Sequence, residues 1–179
     1  MSIETLAKQG RERVHSGLAG IETDKLKKLR NDQLKQCFSH FDEMKYRMQF
    51  VARIRGTEFV NDAASRSVNA TWYALQSAEG SLVWIANGDD NISNYTKLRP
   101  LAQQKVKMLV CVGNDTRHLH ETFDDVVPTV VDAHNIGDAV HTAFYNNLEN
   151  IKVIFSPAGE NGVSVDTEGH RFTMEVNEL

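Results

Sequence analysis

Four apolar runs constrain this chain more than any other feature. They are Ser81-Leu-Val-Trp-Ile-Ala86, Lys107-Met-Leu-Val-Cys-Val112, Thr129-Val-Val-Asp132 and Ile151-Lys-Val-Ile-Phe155. The first is bounded by Gly80 and by Asn87-Gly-Asp-Asp90, as suits a strand buried on both faces. Segments of helical length lie between or before the runs: Ser67 to Gln76, with Val68, Trp72 and Leu75 on one face, then Tyr95 to Lys105, Thr116 to Phe123 and Ile136 to Leu148. Strands alternating with helices in this way need right-handed crossovers, and the predicted class is α/β with a mainly parallel sheet.

Upstream of the first run, Gln49 to Ile54 alternates and Thr57-Glu-Phe-Val-Asn61 follows Gly56, which predicts two short strands joined by a tight turn. Residues 1–45 read as a polar, helical N-terminal extension, and residues 46–179 as the α/β domain. In the extension, Leu18, Ile21, Leu26, Leu29, Leu34, Cys37, Phe38 and Phe41 recur at helical spacing, with Thr23-Asp24 as a candidate N-cap and Gly10, Gly17 and Gly20 as interruptions. At the other end, Val163 to Val176 alternates around Glu168-Gly169, and the expectation is a terminal β-hairpin.

Composition narrows the function classes. Of 179 residues, 41% are hydrophobic and 25% charged, which supports a packed core and excludes a disordered chain. A net charge of −4 gives no general attraction for nucleic acid or anionic lipid. The N-terminal Met1-Ser-Ile-Glu-Thr-Leu-Ala-Lys8 has no apolar signal region, and no apolar stretch approaches the roughly 20 residues needed to span a bilayer. The expectation is a cytoplasmic protein. Two cysteines, Cys37 and Cys111, make no disulfide framework, and Cys111 reads as a buried, inert thiol.

Motifs for chemistry are sparse. There is no Gly-x-x-x-x-Gly-Lys-Ser/Thr loop and no Gly-x-Gly-x-x-Gly after a strand. His118 and His120 diverge on a helix, and His134 and His141 share a helical face, but no Cys-x-x-Cys or His-Glu-x-x-His accompanies them, so no metal site is expected. Ser156 lacks the glycines of a nucleophile elbow, and the Asp89-Asp90 and Asp124-Asp125 pairs read as solvated loops. No catalytic residue is assigned. Polar residues do gather after the strands, at Asn61-Asp62, Asn87 to Asn91, Gly113 to Thr116 and Ser156 to Asn161. In open α/β sheets ligands bind at those carboxyl ends.

One stretch carries a more specific signal: Tyr46-Arg-Met-Gln-Phe-Val-Ala-Arg-Ile-Arg-Gly-Thr-Glu-Phe-Val-Asn-Asp62, then Ser67-Val-Asn-Ala-Thr-Trp-Tyr-Ala-Leu75. With Ile85-Ala-Asn-Gly-Asp-Asp-Asn91, Phe155-Ser-Pro-Ala158 and Gly169-His-Arg-Phe172 in order behind it, residues about 34 to 179 resemble the C-terminal domain of the Mur ligases, nearest to the branch that adds D-glutamate. The resemblance implies a Rossmann-like three-layer domain with an antiparallel N-terminal edge strand and a setting in peptidoglycan precursor synthesis. In the family this domain brings the incoming amino acid and closes over ATP, whereas the phosphate loop, magnesium sites and carbamylated lysine belong to another domain.

Transfer of the family's site residues is selective. Arg47 and Asp62 match its nucleotide-ribose contacts, and Asp90 its loop aspartate. The amino-acid contacts are substituted: the two family lysines fall on Ala64 and Asn91, and its serine on Asn161. The Thr and Asn after the first lysine fall on Arg66 and Ser67, and the late Arg falls on Glu168. A neutral amide cannot supply a charge-assisted hydrogen bond, so attraction for D-glutamate should be small. The resemblance therefore implies a stand-alone, degenerate domain, inactive as a ligase by itself and acting as a binding or interaction module. Met1 fits a short natural protein. The alternative is a detached third domain supplied in trans to an ATP-binding partner, with Arg47 and Asp62 retaining a nucleotide. No cofactor is required, and ATP or ADP is a weak ligand candidate. The expected partner is an unknown protein or a second copy, with no nucleic acid and no membrane. In a third reading, a structural dimerisation unit, the Leu18, Ile21, Leu26 and Leu29 stripe is the contact, although packing onto its own domain is the commoner fate of such a stripe.

Overall fold

The computed structural model describes residues 45–89, 94–146 and 148–179. The expected N-terminal helices and their apolar stripe fall on residues 1–44, outside the described residues, as do Asp90 and Asn91.

Strand β1 (Gln49–Ile54) runs antiparallel to β2 (Thr57–Asn61), with Ile54 paired to Thr57. The two loop residues, Arg55 and Gly56, both have positive φ (47° and 87°), the conformation that matches strand twist in a two-residue hairpin. Helix α1 (Val68–Ser77) follows, capped by the Ser67 side chain accepting from Ala70 N. Then come β3 (Ser81–Asn87), a 3₁₀ turn (Tyr95–Leu98), α2 (Arg99–Lys105), β4 (Val106–Val112), α3 (Arg117–Phe123), β5 (Val130–Ala133), α4 (Ile136–Phe144), β6 (Ile151–Phe155) and α5 (Val165–Asn177). The strand order is β1-β2-β6-β3-β4-β5, parallel from β2 onward. The predicted α/β class, the mainly parallel sheet and the antiparallel edge strand are all present.

Helices cover both faces, giving three layers. On β3, Leu82, Trp84 and Ala86 point to a core shared with Leu75 of α1, Leu101 of α2, and Leu119 and Phe123 of α3. Val83 and Ile85 point to the opposite core, with Ala139 and Val140 of α4 and Phe172 and Val176 of α5. This period-two division explains why the β3 run is apolar throughout. Trp84 meets Phe123 edge-on, with ring centroids 5.3 Å apart, and its Nε1 donates to Ser156 O at 2.8 Å.

The expected C-terminal hairpin is corrected by the structure: the tail is helix α5. Ser164 caps it by accepting from Thr167 N, and Asp166 and Glu168 sit in the first turn, where acids suit the helix dipole. Val165, Gly169, Phe172 and Val176 make a helical stripe, whereas Val163 and Met174, which carried the apparent alternation, are exposed. Two helical segments also differ from the sequence reading by more than one residue. The segment from Tyr95 opens as a 3₁₀ turn before α2, and α4 ends at Phe144 instead of Leu148. None of the described helices is long and apolar enough to cross a membrane.

Candidate functional site at the carboxyl ends of β2 and β6

The loops after β2 and β6 are laced together by main-chain bonds. Asp62 N donates to Phe155 O at 2.8 Å, Ala158 N to Ser65 O at 3.1 Å, and Ala64 N to Tyr46 O at 3.0 Å. Three non-glycine residues here are left-handed: Tyr46 (φ 57°), Met48 (φ 45°) and Ala158 (φ 64°). Such conformations persist only where surrounding contacts over-determine them, and they concentrate at functional sites.

Asp62 lies beneath this rim with none of its surface exposed. Its carboxylate accepts from Met48 N at 3.1 Å and from Ser156 Oγ at 2.8 Å, and Ser156 Oγ also pairs with Thr71 Oγ1 at 2.8 Å. Burial raises the Asp62 carboxyl above its usual range, against the lowering effect of the Ser65 and Ser156 hydroxyls, Met48 N and the Arg47 charge. Arg47 itself is exposed. The structure thus sets these two sequence-matched residues at one corner, Arg47 in solvent and Asp62 engaged inside.

The second corner is built from Arg66, Asn161 and Glu168. Arg66 Nη2 donates to Glu168 and, at 3.2 Å, to Asn161 Oδ1. Its Nη1 donates to Glu160 Oε2 at 2.9 Å and to Val163 O. Asn161 Nδ2 completes the ring by donating to Glu168 Oε1 at 2.6 Å. The side chains of Arg66 and Glu168 are only 11% and 8% exposed. Arg66 Nε is buried and has no hydrogen-bond partner among the described residues. One guanidinium here serves two carboxylates, Glu168 and Glu160. Ala64 is half-buried beside it and contributes its main chain alone.

Further along the same sheet end, Asp89 Oδ1 accepts from Asn114 N at 2.8 Å and Asp115 N at 3.1 Å. Gly113 (φ 136°) admits that carboxylate, since a Cβ there would lie 2.7 Å from Asp89 Cγ. The protein's own carboxylate therefore fills a concavity of backbone N–H groups that would otherwise suit an anion. Asn87 Nδ2 is buried and unpartnered among the described residues.

Reading the sequence missed the Arg66–Glu168 pairing, because each residue stood only as a departure from a pattern. It also missed the Asp62–Ser156–Thr71 network, whose members lie up to 94 residues apart. A third grouping, Cys111, His120 and Asp132, joins residues from three elements and has the donor chemistry of a metal site.

No family model matches the chain. Sequence relatives are nevertheless clear. The chain is 31% identical over 158 residues to the UDP-N-acetylmuramoylalanine–D-glutamate ligase of Christiangramia forsetii, covering 88% of this chain and 36% of the relative. It is 31% identical over 183 aligned positions to the enzyme of that name from Bacteroides fragilis, covering 100% of this chain and 41% of the relative. It therefore spans about two fifths of the length of these curated relatives. Among solved structures it superposes on MurF from Acinetobacter baumannii with a TM-score of 0.54 at 15% identity, covering 75% of this chain and 31% of that one. The described domain has the fold of the Mur ligase C-terminal domain, and the chain is related over most of its length to UDP-N-acetylmuramoylalanine–D-glutamate ligases.

Proposed function

We propose that this domain is a non-ligating Mur ligase C-terminal domain, acting as a binding or interaction module in a cytoplasmic, peptidoglycan-precursor setting. The observation that carries this reading is the Arg66 corner. The positions equated with amino-acid contacts hold Ala64 and Asn161, and the one guanidinium beside them is consumed by Glu168 and Glu160. A dicarboxylic amino acid would meet Glu168 and Glu160 there, with the Arg66 guanidinium already engaged by both. Calorimetric titration with D-glutamate, ATP and UDP-N-acetylmuramoyl-L-alanine tests the reading. Silence with D-glutamate is expected. Saturable D-glutamate binding, or D-glutamate-dependent ATP consumption by the purified chain, would sink it.

A second reading, a domain supplied in trans that still holds a nucleotide, is favoured by one observation. Arg47 is exposed between two left-handed residues, Tyr46 and Met48, so the loop presents a cation beside the buried Asp62. If it holds, ADP binds and Arg47→Ala weakens it about tenfold, the scale of one charge-assisted contact. Equal ADP affinity in that variant rules the contact out.

A further inference from the structure

At the opposite edge of the sheet, Cys111 of β4 is the register partner of Asp132 of β5. Paired residues on neighbouring strands project from the same face, and strands lie about 4.8 Å apart. Helix α3 covers that face, with Leu119 and Phe123 packed into the same core as Cys111. This places His120 of α3 over the strand pair. One donor atom from each of Cys111, His120 and Asp132 lies within 4.8 Å of the other two.

We propose that Cys111, His120 and Asp132 form a binding site for a divalent cation of the zinc class, with Asp124 as the positioning carboxylate. The donor set is one sulfur, one imidazole nitrogen and one carboxylate oxygen, the mixture that zinc accepts in tetrahedral sites. Donor atoms around tetrahedral zinc sit roughly 3.5 Å apart, given bonds of about 2.0–2.3 Å. Closing the set needs a small side-chain rotation, and Asp132, 62% exposed on the edge strand, is the member best placed to make it.

His120 is already oriented for the role. Its Nδ1 contacts Asp124 Oδ1 at 2.9 Å, and its Nε2 contacts Asp132 Oδ1 at 3.1 Å. A carboxylate on the outer nitrogen fixes the imidazole so that the inner one meets the metal. Asp132 is steadied in turn by the Thr116 hydroxyl. On binding, the cation takes the place of the Nε2 proton and of the Cys111 thiol proton, and both protons leave to solvent as the metal–nitrogen and metal–sulfur bonds form. Two nearby carboxylates disfavour a free thiolate, which raises the Cys111 thiol further than burial alone. The same negative field attracts a cation, so the site suits a metal better than a reactive thiol. Three protein donors leave a fourth position for water or a ligand. The site stands apart from the β2–β6 corner and does not rest on the function proposed above.

The test is titration of the reduced full chain with Co²⁺, followed by Zn²⁺ displacement. The expected result is one equivalent of a thiolate-to-cobalt charge-transfer band, removed by Zn²⁺. The band should vanish in Cys111→Ser and persist in Cys37→Ser. Asp124→Asn should weaken binding about 10- to 100-fold, as loss of an outer carboxylate does. His120→Asn and Asp132→Asn, at partly exposed positions, serve if Cys111→Ser fails to fold. Absence of the band, its dependence on Cys37 instead of Cys111, or unchanged affinity in His120→Asn would overturn the site.

Discussion

Arg66 donates from Nη2 to Glu168, 102 residues away, and so ties the loop after β2 to the first turn of α5. Both side chains are largely withdrawn from water, where an ion pair holds together well but leaves a costly orphan when halved. Glu168→Gln is expected to destabilise the domain by about 2–3 kcal/mol, softened by Glu160 as the remaining partner. Arg66→Met combined with Glu168→Leu should lose less than the sum of its single changes. Urea denaturation of the four proteins checks this, and strictly additive losses would contradict it.

Gly169 occupies an interior helical position where alanine ordinarily gains about 1 kcal/mol. Here a Cβ would lie 2.5 Å from Cγ of the Tyr46 ring, which is itself buried. The clash should win, and Gly169→Ala is expected to cost about 1–3 kcal/mol. In a Tyr46→Ala background the same change should turn neutral or stabilising. A melting-temperature cycle reads the sign directly.

Asp62 gives a pH signature. Its folded carboxyl is raised above the ordinary 3.8, chiefly by burial. A raised acid favours the folded state while protonated, so its contribution is present below the unfolded value and is lost as pH rises through the folded one. Relative to Asp62→Asn, the wild type should therefore lose stability as pH rises above the unfolded carboxyl value near 3.8. Guanidinium midpoints measured across that rise would show the two curves diverging. Parallel curves would mean the carboxyl is not raised.

The cap of α5 is open to a simple check. Ser164→Ala removes the acceptor for Thr167 N and is expected to cost about 1 kcal/mol, whereas Ser164→Asp should keep nearly all of it. A hairpin at this position would be indifferent to both changes.

The layered sheet was legible because its signal is local. Apolar runs such as Leu82 to Ala86 have no choice but a doubly covered strand, and the Arg55-Gly56 turn announces itself by residue type. The C-terminal segment misled because Val163, Val165, Phe172, Met174 and Val176 satisfy a period of two in part. Ser164, Asp166 and Glu168 mark a helix start, and the apolar stripe through Gly169 and Phe172 settles the period. For the candidate site, the landmarks Asp62 and Ser156 were visible as strand-end residues, yet nothing in their positions shows that they bond one another.

The sequence by itself determined the α/β class, the strand count in the parallel portion, the hairpin edge and the lack of a phosphate loop, since each depends on neighbours along the chain. Only the tertiary structure decided that Asp62 is sealed within its own hydrogen bonds, that Arg66 and Glu168 neutralise each other, and that Cys111, His120 and Asp132 converge. Those relationships join residues from separate strands and helices. Their distances are set by strand register and helix packing, which no local pattern encodes.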